Sequence, residues 1–332
     1  MPTLYVTEQG ARIEKEYKRL LVTKNDEVLF RVPLHRVSDV VLVGYVGATT
    51  PALLALLHAQ IPVLLVKRTG ALVGRLLPAT PKNLPLRQQQ YQRNEEPAFA
   101  LALAKAIVAG KLRNQRVLAL RVLRRHPEAD REPLEQLYAA EARVETVDNL
   151  QTLLGVEGVG ARAYFALYEQ AFDPTWAFND RNRRPPKDPI NALLSLGYTL
   201  LGHALMTALE AVGLDPYLGF FHAEKYGRPA LALDLVEEFR APFVDSLVMR
   251  VVNWQMLKPD DFVPGRQGKG VYLTDHGLRV FLREFGDRLE SQVRLKDTGR
   301  SLSYRKHFEV QARKLVHVIE REAETYAPFW AR

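Results

Sequence analysis

One stretch of this chain brings an imidazole and carboxylates together at a spacing that suits metal chemistry. In GFFHAEKYGRPALALDLVEEFR (219–240), His222 sits in an otherwise apolar run, Lys225 follows it, and Asp234 and Glu237 stand three apart, on one face of a helix. Leu231, Leu233, Leu235 and Val236 surround that pair, so at least one acid faces a partly desolvated environment that calls for a cation or hydrogen-bond partners. An imidazole with two carboxylates is the mixed nitrogen and oxygen set that suits Mn2+ and tolerates Mg2+, ions that polarise a phosphodiester. The same residues also read as a satisfied core histidine beside a solvated acidic face, and spacing alone leaves both readings open.

A third carboxylate stands apart from these. LLGVEGVGARAYF (153–165) sets Glu157 among Gly155, Gly158 and Gly160, ahead of an apolar, aromatic helix, with little steric cover over its carboxylate. That suits a ligand which an incoming phosphate must reach, and it equally suits a solvated acid in the first turn of a helix, favoured there by the dipole. Basic residues concentrate twice. KLRNQRVLALRVLRR (111–125) holds no acid and reads as an amphipathic helix, with Arg113, Arg121, Arg124 and Arg125 broadly on one side and Leu112, Ala119, Leu120 and Leu123 on the other. The loop NDRNRRPPKD (179–188) carries Arg181, Arg183 and Arg184. Both segments can neutralise phosphates, and a solvated basic face is the alternative for the helix.

Composition agrees with a polyanionic partner: 46 Lys and Arg against 38 Asp and Glu give a net charge of +8. With no cysteine, disulfides, thiolate zinc sites and thiol catalysis are excluded. There is no glycine-lysine phosphate loop, dinucleotide fingerprint or nucleophile-elbow serine, so ATP use and hydride transfer are not expected. The start MPTLYVTEQG lacks the pattern of a secretory signal, which leads us to expect a cytoplasmic protein with no membrane association. The apolar stretch Pro189 to Gly213 holds Asn191, Ser195, Thr199, His203, Thr207 and Glu210, and is expected to be a buried helix rather than a membrane span.

The elements that must position these residues fall into two parts. Residues 1–80 read as a β-rich domain, with a hairpin formed by Leu20 to Thr23, the turn Lys24-Asn25-Asp26, and Val28 to Val32. Val37 to Val43 and Ile61 to Val66 are further strands, between which Thr50 is expected to cap a short helix that has Pro51 in its first position. Gly70 then turns the chain into a strand ending near Pro78. Residues 81–90 read as a linker, after which 91–332 keep helical periodicity. A long helix starts at Asp188 as N-cap with Pro189 at its first position and stops at Gly213. PDDFVPGRQGKG (259–270) is expected to be a mobile loop. The expected class is α+β, a β-rich domain followed by a mainly α-helical one.

Several stretches together resemble the CRISPR-associated integrase family, the Cas-one family: LYVTEQGARI (4–13), VPLHRVSDVVLVG (32–44), TPALLALLHAQIPVLLVKRTGALVGRL (50–76), KLRNQR (111–116), GVEGVGARAYF (155–165), DPINALLSLGYTLL (188–201), the 219–240 segment and GVYLTDHGLRVFLREF (270–285). The resemblance implies a β-domain that builds a two-fold homodimer and an α-domain with one metal site. Carried over, the metal ligands fall on Glu157, His222 and Glu237. Asp234 matches a nearby acid that does not always coordinate, and Lys225 a basic residue expected to contact phosphate. Asn191, Ser195 and Tyr198 belong to a motif lining the site. The implied activity is metal-dependent DNA cleavage and integration of protospacer DNA into a CRISPR array, acting on double-stranded and branched DNA. The implied partner is the small Cas-two protein, which bridges two dimers into a heterohexamer. A metal nuclease of DNA repair and a non-catalytic DNA-binding scaffold are the rival readings.

Overall fold

The computed structural model describes residues 2–79, 83–183, 185–222, 226–294, 299 and 301–330. Its first part is built from β1 (Thr3–Val6), β2 (Arg12–Glu16), β3 (Arg19–Lys24), β4 (Glu27–Pro33), β5 (Asp39–Val43), β6 (Gly47–Ala48), α1 (Thr50–His58), β7 (Val63–Val66) and β8 (Leu72–Leu76). Asn25 and Asp26 both take positive φ (49° and 63°), the two-residue turn whose twist matches a hairpin, and so Lys24 pairs with Glu27 and β3 with β4. The cap of α1 lies one residue earlier than the sequence suggests. Thr49 accepts from the Ala52 amide, so Thr50 is the first helical residue.

Two four-stranded sheets result, ordered β4-β3-β2-β6 and β1-β5-β7-β8. In the second, β1, β5 and β7 run parallel and β8 returns antiparallel. Its strands read as apolar runs because both faces are buried. Val40, Leu42 and Val63 face a small core with Ile13, Leu20 and Leu56, whereas Val41, Val43, Leu64 and Val66 face the large core of the helical part. This sheet is therefore a wall common to both parts.

The helical part comprises α2 (Leu84–Asn94), α3 (Pro97–Arg125), α4 (Glu132–Arg143), α5 (Leu150–Glu169), α6 (Pro189–Val212), α7 (Ala230–Phe239), α8 (Ser246–Asn253), α9 (Asp275–Glu290) and α10 (Tyr304–Ile319). It also holds two short antiparallel pairs, β9 (Phe262–Pro264) with β10 (Val271–Leu273) and β11 (Gln292–Arg294) with β12 (Ser301–Ser303). Helix α2 occupies most of the stretch read as a linker, since Asn83 accepts from the Leu86 amide and Pro85 lies in the first turn. The 259–270 tract also departs from the expected loop: its β9 arm pairs with β10, closed by Gly265 N–H donating to the Gly270 carbonyl at 2.8 Å.

Helix α6 starts and stops as the sequence indicates. Asp188 accepts from the Asn191 amide at 2.8 Å, and Gly213 ends the helix at φ 96°. By length and composition it is the one helix among the described residues that would suit a membrane, but Leu193, Leu194, Leu200, Leu201, Leu205 and Leu209 spend that apolarity inside the core.

Candidate metal and active site

Helix α3 buries Ala104, Val108, Lys111, Gln115, Leu118 and Val122, a stripe repeating every three or four residues with a lysine in its middle. Gly160 of α5 faces this helix, where a Cβ would lie 2.4 Å from Leu112 Cδ2. Its bare backbone lets the two helices approach closely, and the approach brings Glu157 onto Lys111. Glu157 lies in the third turn of α5, not in a first turn, so the helix dipole does not account for it. Gly155 and Gly158 border open space.

Helix α7 delivers Glu237 to the other side of the same ammonium. Lys111 pairs with Glu157, and its Nζ lies 2.6 Å from Glu237 Oε2. Glu237 and Lys111 are buried, and that Oε2 has no aligned hydrogen-bond donor. Arg240 Nη2 lies 2.9 Å from Glu237 Oε1 and His222 Nε2 3.7 Å from it. Burial alone pushes the Glu237 carboxyl up, but Arg240, Lys111 and His222 overcome this and hold it at about 2.

His222 is oriented from behind. Asp234, fully buried, accepts from the backbone amides of Phe220 (2.7 Å), Phe221 (3.1 Å) and His222 (2.9 Å), and lies 2.8 Å from His222 Nδ1. A carboxylate accepts, so Nδ1 donates and Nε2 keeps its lone pair, facing Glu237. With its oxygens so engaged, Asp234 positions the imidazole and is not placed to ligate.

After α7 the helix widens into a π-helical segment, Arg240–Asp245. Pro242 has no N–H for the Glu238 carbonyl one turn back, and Asn114 Nδ2 of α3 donates to that carbonyl instead, at 2.8 Å. The segment ends on buried Asp245, which accepts from the Tyr164 and Tyr198 hydroxyls, both at 2.6 Å. Burial pushes the Asp245 carboxyl up, and the two hydroxyls offset part of that. The Tyr198 ring carries Arg240 over it at 4.7 Å and Arg181 at 5.4 Å. Arg181 also donates to Asn191 Oδ1 (2.6 Å) and Ser195 Oγ (3.1 Å), which explains the 188–201 motif as the mount of this arginine loop.

Arg181, exposed Arg183, Arg240 and Arg68 line one cleft of about 420 Å³, walled by Tyr198 and Tyr272. Because Arg240 also pairs with Glu237, the cleft adjoins the carboxylates. Lys225 and Arg184 lie outside the described residues. Of the α3 arginines, Arg121, Arg124 and Arg125 are exposed at its C-terminal end, while Arg113 stacks over Trp330 at 3.8 Å. They lie away from the carboxylates and do not converge on them.

Among the described residues no three His, Asp or Glu side chains stand at ligating geometry, because Lys111 stands between Glu157 and Glu237. The residues nevertheless suit a divalent cation: an imidazole lone pair, a buried carboxylate oxygen without an aligned donor, and a second carboxylate across a gap that already holds positive charge. Lys111, Arg240 and Asp245 were not singled out from sequence. The available signals were a lysine on an otherwise apolar helical stripe and an arginine three residues after Glu237.

The model of the family described as CRISPR associated protein Cas1 matches residues 4–287. The chain is 37% identical over 333 residues to the CRISPR-associated endonuclease Cas1 3 of Thermus thermophilus, covering 99% of this chain and 97% of that one. It is also 37% identical over 336 residues to a CRISPR-associated exonuclease Cas4/endonuclease Cas1 fusion of Rhodospirillum rubrum, covering 99% of this chain. It spans 57% of that fusion's length. Among solved structures, a Cas6-RT-Cas1–Cas2 complex superposes with a TM-score of 0.83 at 27% identity, over 99% of this chain and 36% of that one.

Proposed function

The chain belongs to the Cas1 family of CRISPR-associated proteins, and from that premise we propose that it is a metal-dependent DNA endonuclease and integrase that inserts protospacer DNA into a CRISPR array. Supporting this reading are the full-length relative named as an endonuclease and, above all, the Lys111 ammonium held between Glu157 and Glu237 beside the His222 imidazole. A site so arranged is organised around positive charge.

Glu157, His222 and Glu237 would hold Mn2+ or Mg2+, with Asp234 fixing the imidazole. When bound, such an ion supplies Lewis acidity that offsets the charge building on phosphorus. The chain's own residues do the rest. Arg240 and Lys111 add positive charge beside the reacting phosphodiester, and Arg68, Arg181 and Arg183 hold neighbouring phosphates in the cleft. In strand transfer the 3′-hydroxyl oxygen of the incoming DNA bonds to phosphorus and the bond from that phosphorus to the target strand's 3′-oxygen breaks. The hydroxyl's proton ends on the leaving oxygen. Water in place of the hydroxyl gives cleavage, of double-stranded or branched DNA, and no ATP is consumed.

The same reading includes a homodimer through the β-rich part, where Leu29 and Phe30 of the edge strand β4 are about half exposed. It also includes Cas2 as the small partner bridging two dimers in a heterohexamer, an assembly consistent with the Cas1–Cas2 complex that the chain resembles. The reaction would take place in the cytoplasm.

The test is strand transfer of a labelled protospacer into a plasmid carrying the repeat, with and without Cas2, in Mn2+, Mg2+ or EDTA. Joining that requires metal and is lost in Glu157→Ala, His222→Ala and Glu237→Ala is expected. Joining that survives EDTA would overturn the metal assignment, and cutting without joining would reduce the activity to that of a nuclease.

A further inference from the structure

The helix pair that holds Lys111 and Glu237 also builds a second cluster of arginines two to three turns further on. Leu118, Arg121 and Arg125 of α3 face Ser246, Met249 and Arg250 of α8 around a cavity of about 190 Å³, which Trp254 and Arg288 complete. Four guanidinium groups meet there, and the carboxylate nearest them, Glu284, is engaged by Arg250 at 2.8 Å and by Arg283 at 3.5 Å. Arg288 is fixed from below, donating to the Pro242 carbonyl (2.6 Å) and Ser246 Oγ (2.7 Å). Burial pushes the Arg121 guanidinium down, and Arg124, Arg288 and Arg125 add to that by like-charge repulsion. An anion would relieve this crowding.

The cavity also presents an aromatic ring. Trp254 is 63% exposed at the C-terminal end of α8, with Arg250 over its ring at 5.1 Å. An exposed indole among arginines is a stacking platform for a nucleobase. Bases inside a duplex have both faces covered by their neighbours, so the indole selects one that is unpaired. Arg121 lies ten residues beyond Lys111, about 15 Å along the helix axis, roughly the length of four base-pair steps. A strand with one phosphodiester at the carboxylates can extend to both.

We propose that Arg121, Arg125, Arg288 and Trp254 form a second nucleic-acid subsite, which takes an unpaired nucleotide of the DNA with its base on the indole and its phosphate among the guanidinium groups. The subsite binds DNA whether or not the carboxylate site turns it over.

The test is binding, by fluorescence anisotropy in EDTA, of a labelled blunt duplex and of the same duplex carrying a five-nucleotide single-stranded flap. Trp254→Ala should weaken binding of the flapped DNA roughly tenfold and leave the blunt duplex within twofold. Trp254→Phe should retain most of the preference for the flap. Arg121→Ala with Arg125→Ala should reduce the salt dependence on the flapped DNA by about 1.4 in log–log slope, as expected for two fewer single-strand phosphate contacts. Equal loss on both DNAs, or no loss on either, would overturn the subsite. Glu237→Gln, assayed in parallel for cleavage, separates the two readings: full cleavage by that variant refutes the metal site and leaves the flap preference to be judged by binding alone.

Discussion

Lys111 explains why the carboxylates of this site can coexist before any metal arrives. Glu237 is 3% exposed, and a buried carboxylate without a counter-charge is costly. Lys111→Met removes the ammonium and leaves Glu157 and Glu237 facing each other. We expect the variant to lose about 3 kcal/mol in EDTA and to recover most of it in Mn2+, read from urea unfolding under both conditions. An equal loss in both would make Lys111 a structural residue with no bearing on the cation. Asp234 makes a different contribution, since it fixes which nitrogen of His222 faces the site. Asp234→Asn weakens that hold, and Mn2+ affinity measured by calorimetric titration should fall about 10- to 100-fold, as for other carboxylates behind a ligating histidine. Unchanged affinity would mean that the imidazole needs no such orientation. His222, Asp234 and Glu237 were legible in the sequence because polar groups in an apolar run stand out. Lys111 was not, because a lysine next to arginines in KLRNQR reads as one more member of a solvated basic face until the helix is seen from its buried side.

The elements show a similar division. Strands, hairpin turn and both ends of α6 follow from local chemistry: positive φ at Asn25 and Asp26, the Asp188 cap and the Gly213 stop. The placement of Glu157 does not, since it depends on how closely α5 packs on α3, and GVEGVG gives three glycines without saying which of them meets a neighbour. In the structure it is Gly160, while Gly158 borders open space. Gly160→Ala should therefore cost about 1–3 kcal/mol, push α5 outward and lower cleavage, whereas Gly158→Ala should be neutral or stabilise the helix by up to about 1 kcal/mol. Urea unfolding and a cleavage assay on both variants decide this. Equal costs would mean the helices are not held at that contact. The π-helical turn at Arg240–Asp245 was equally hidden. Pro242 in EEFRAPFVD signals a break, yet the break is absorbed because Asn114, 128 residues earlier in the chain, supplies the donor that Pro242 removes.

At the scale of the molecule, the two-part division of the sequence hides how tightly the parts are joined. Alternate residues of β5 and β7 face opposite cores, Arg75 of β8 pairs with Glu210 of α6, and Arg305 of α10 pairs with Asp39 at the start of β5. A single calorimetric transition is expected on heating, and two separate ones would show that the common sheet does not couple the parts. The C-terminal segment is tied in by a charge. Glu238, fully buried beside Glu237, accepts from the Tyr326 hydroxyl (2.7 Å), the Phe329 amide (2.7 Å) and Gln311 Nε2 (3.0 Å). Burial pushes its carboxyl up to about 7 from the ordinary 4.5, and these three donors offset only part of the shift. Below the ordinary value both folded and unfolded chains carry the proton. Between the two values the folded chain holds a proton that the unfolded chain has released, so stability falls as pH rises through this window and stays lower above it. The loss is on the order of 3 kcal/mol. Glu238→Gln cannot titrate, so the stability of wild type relative to this variant should drop by that amount between pH 4.5 and pH 8, measured by urea unfolding. A difference that is the same at both pH values would mean that Glu238 is already ionised in the folded protein at the lower one, its three donors outweighing burial.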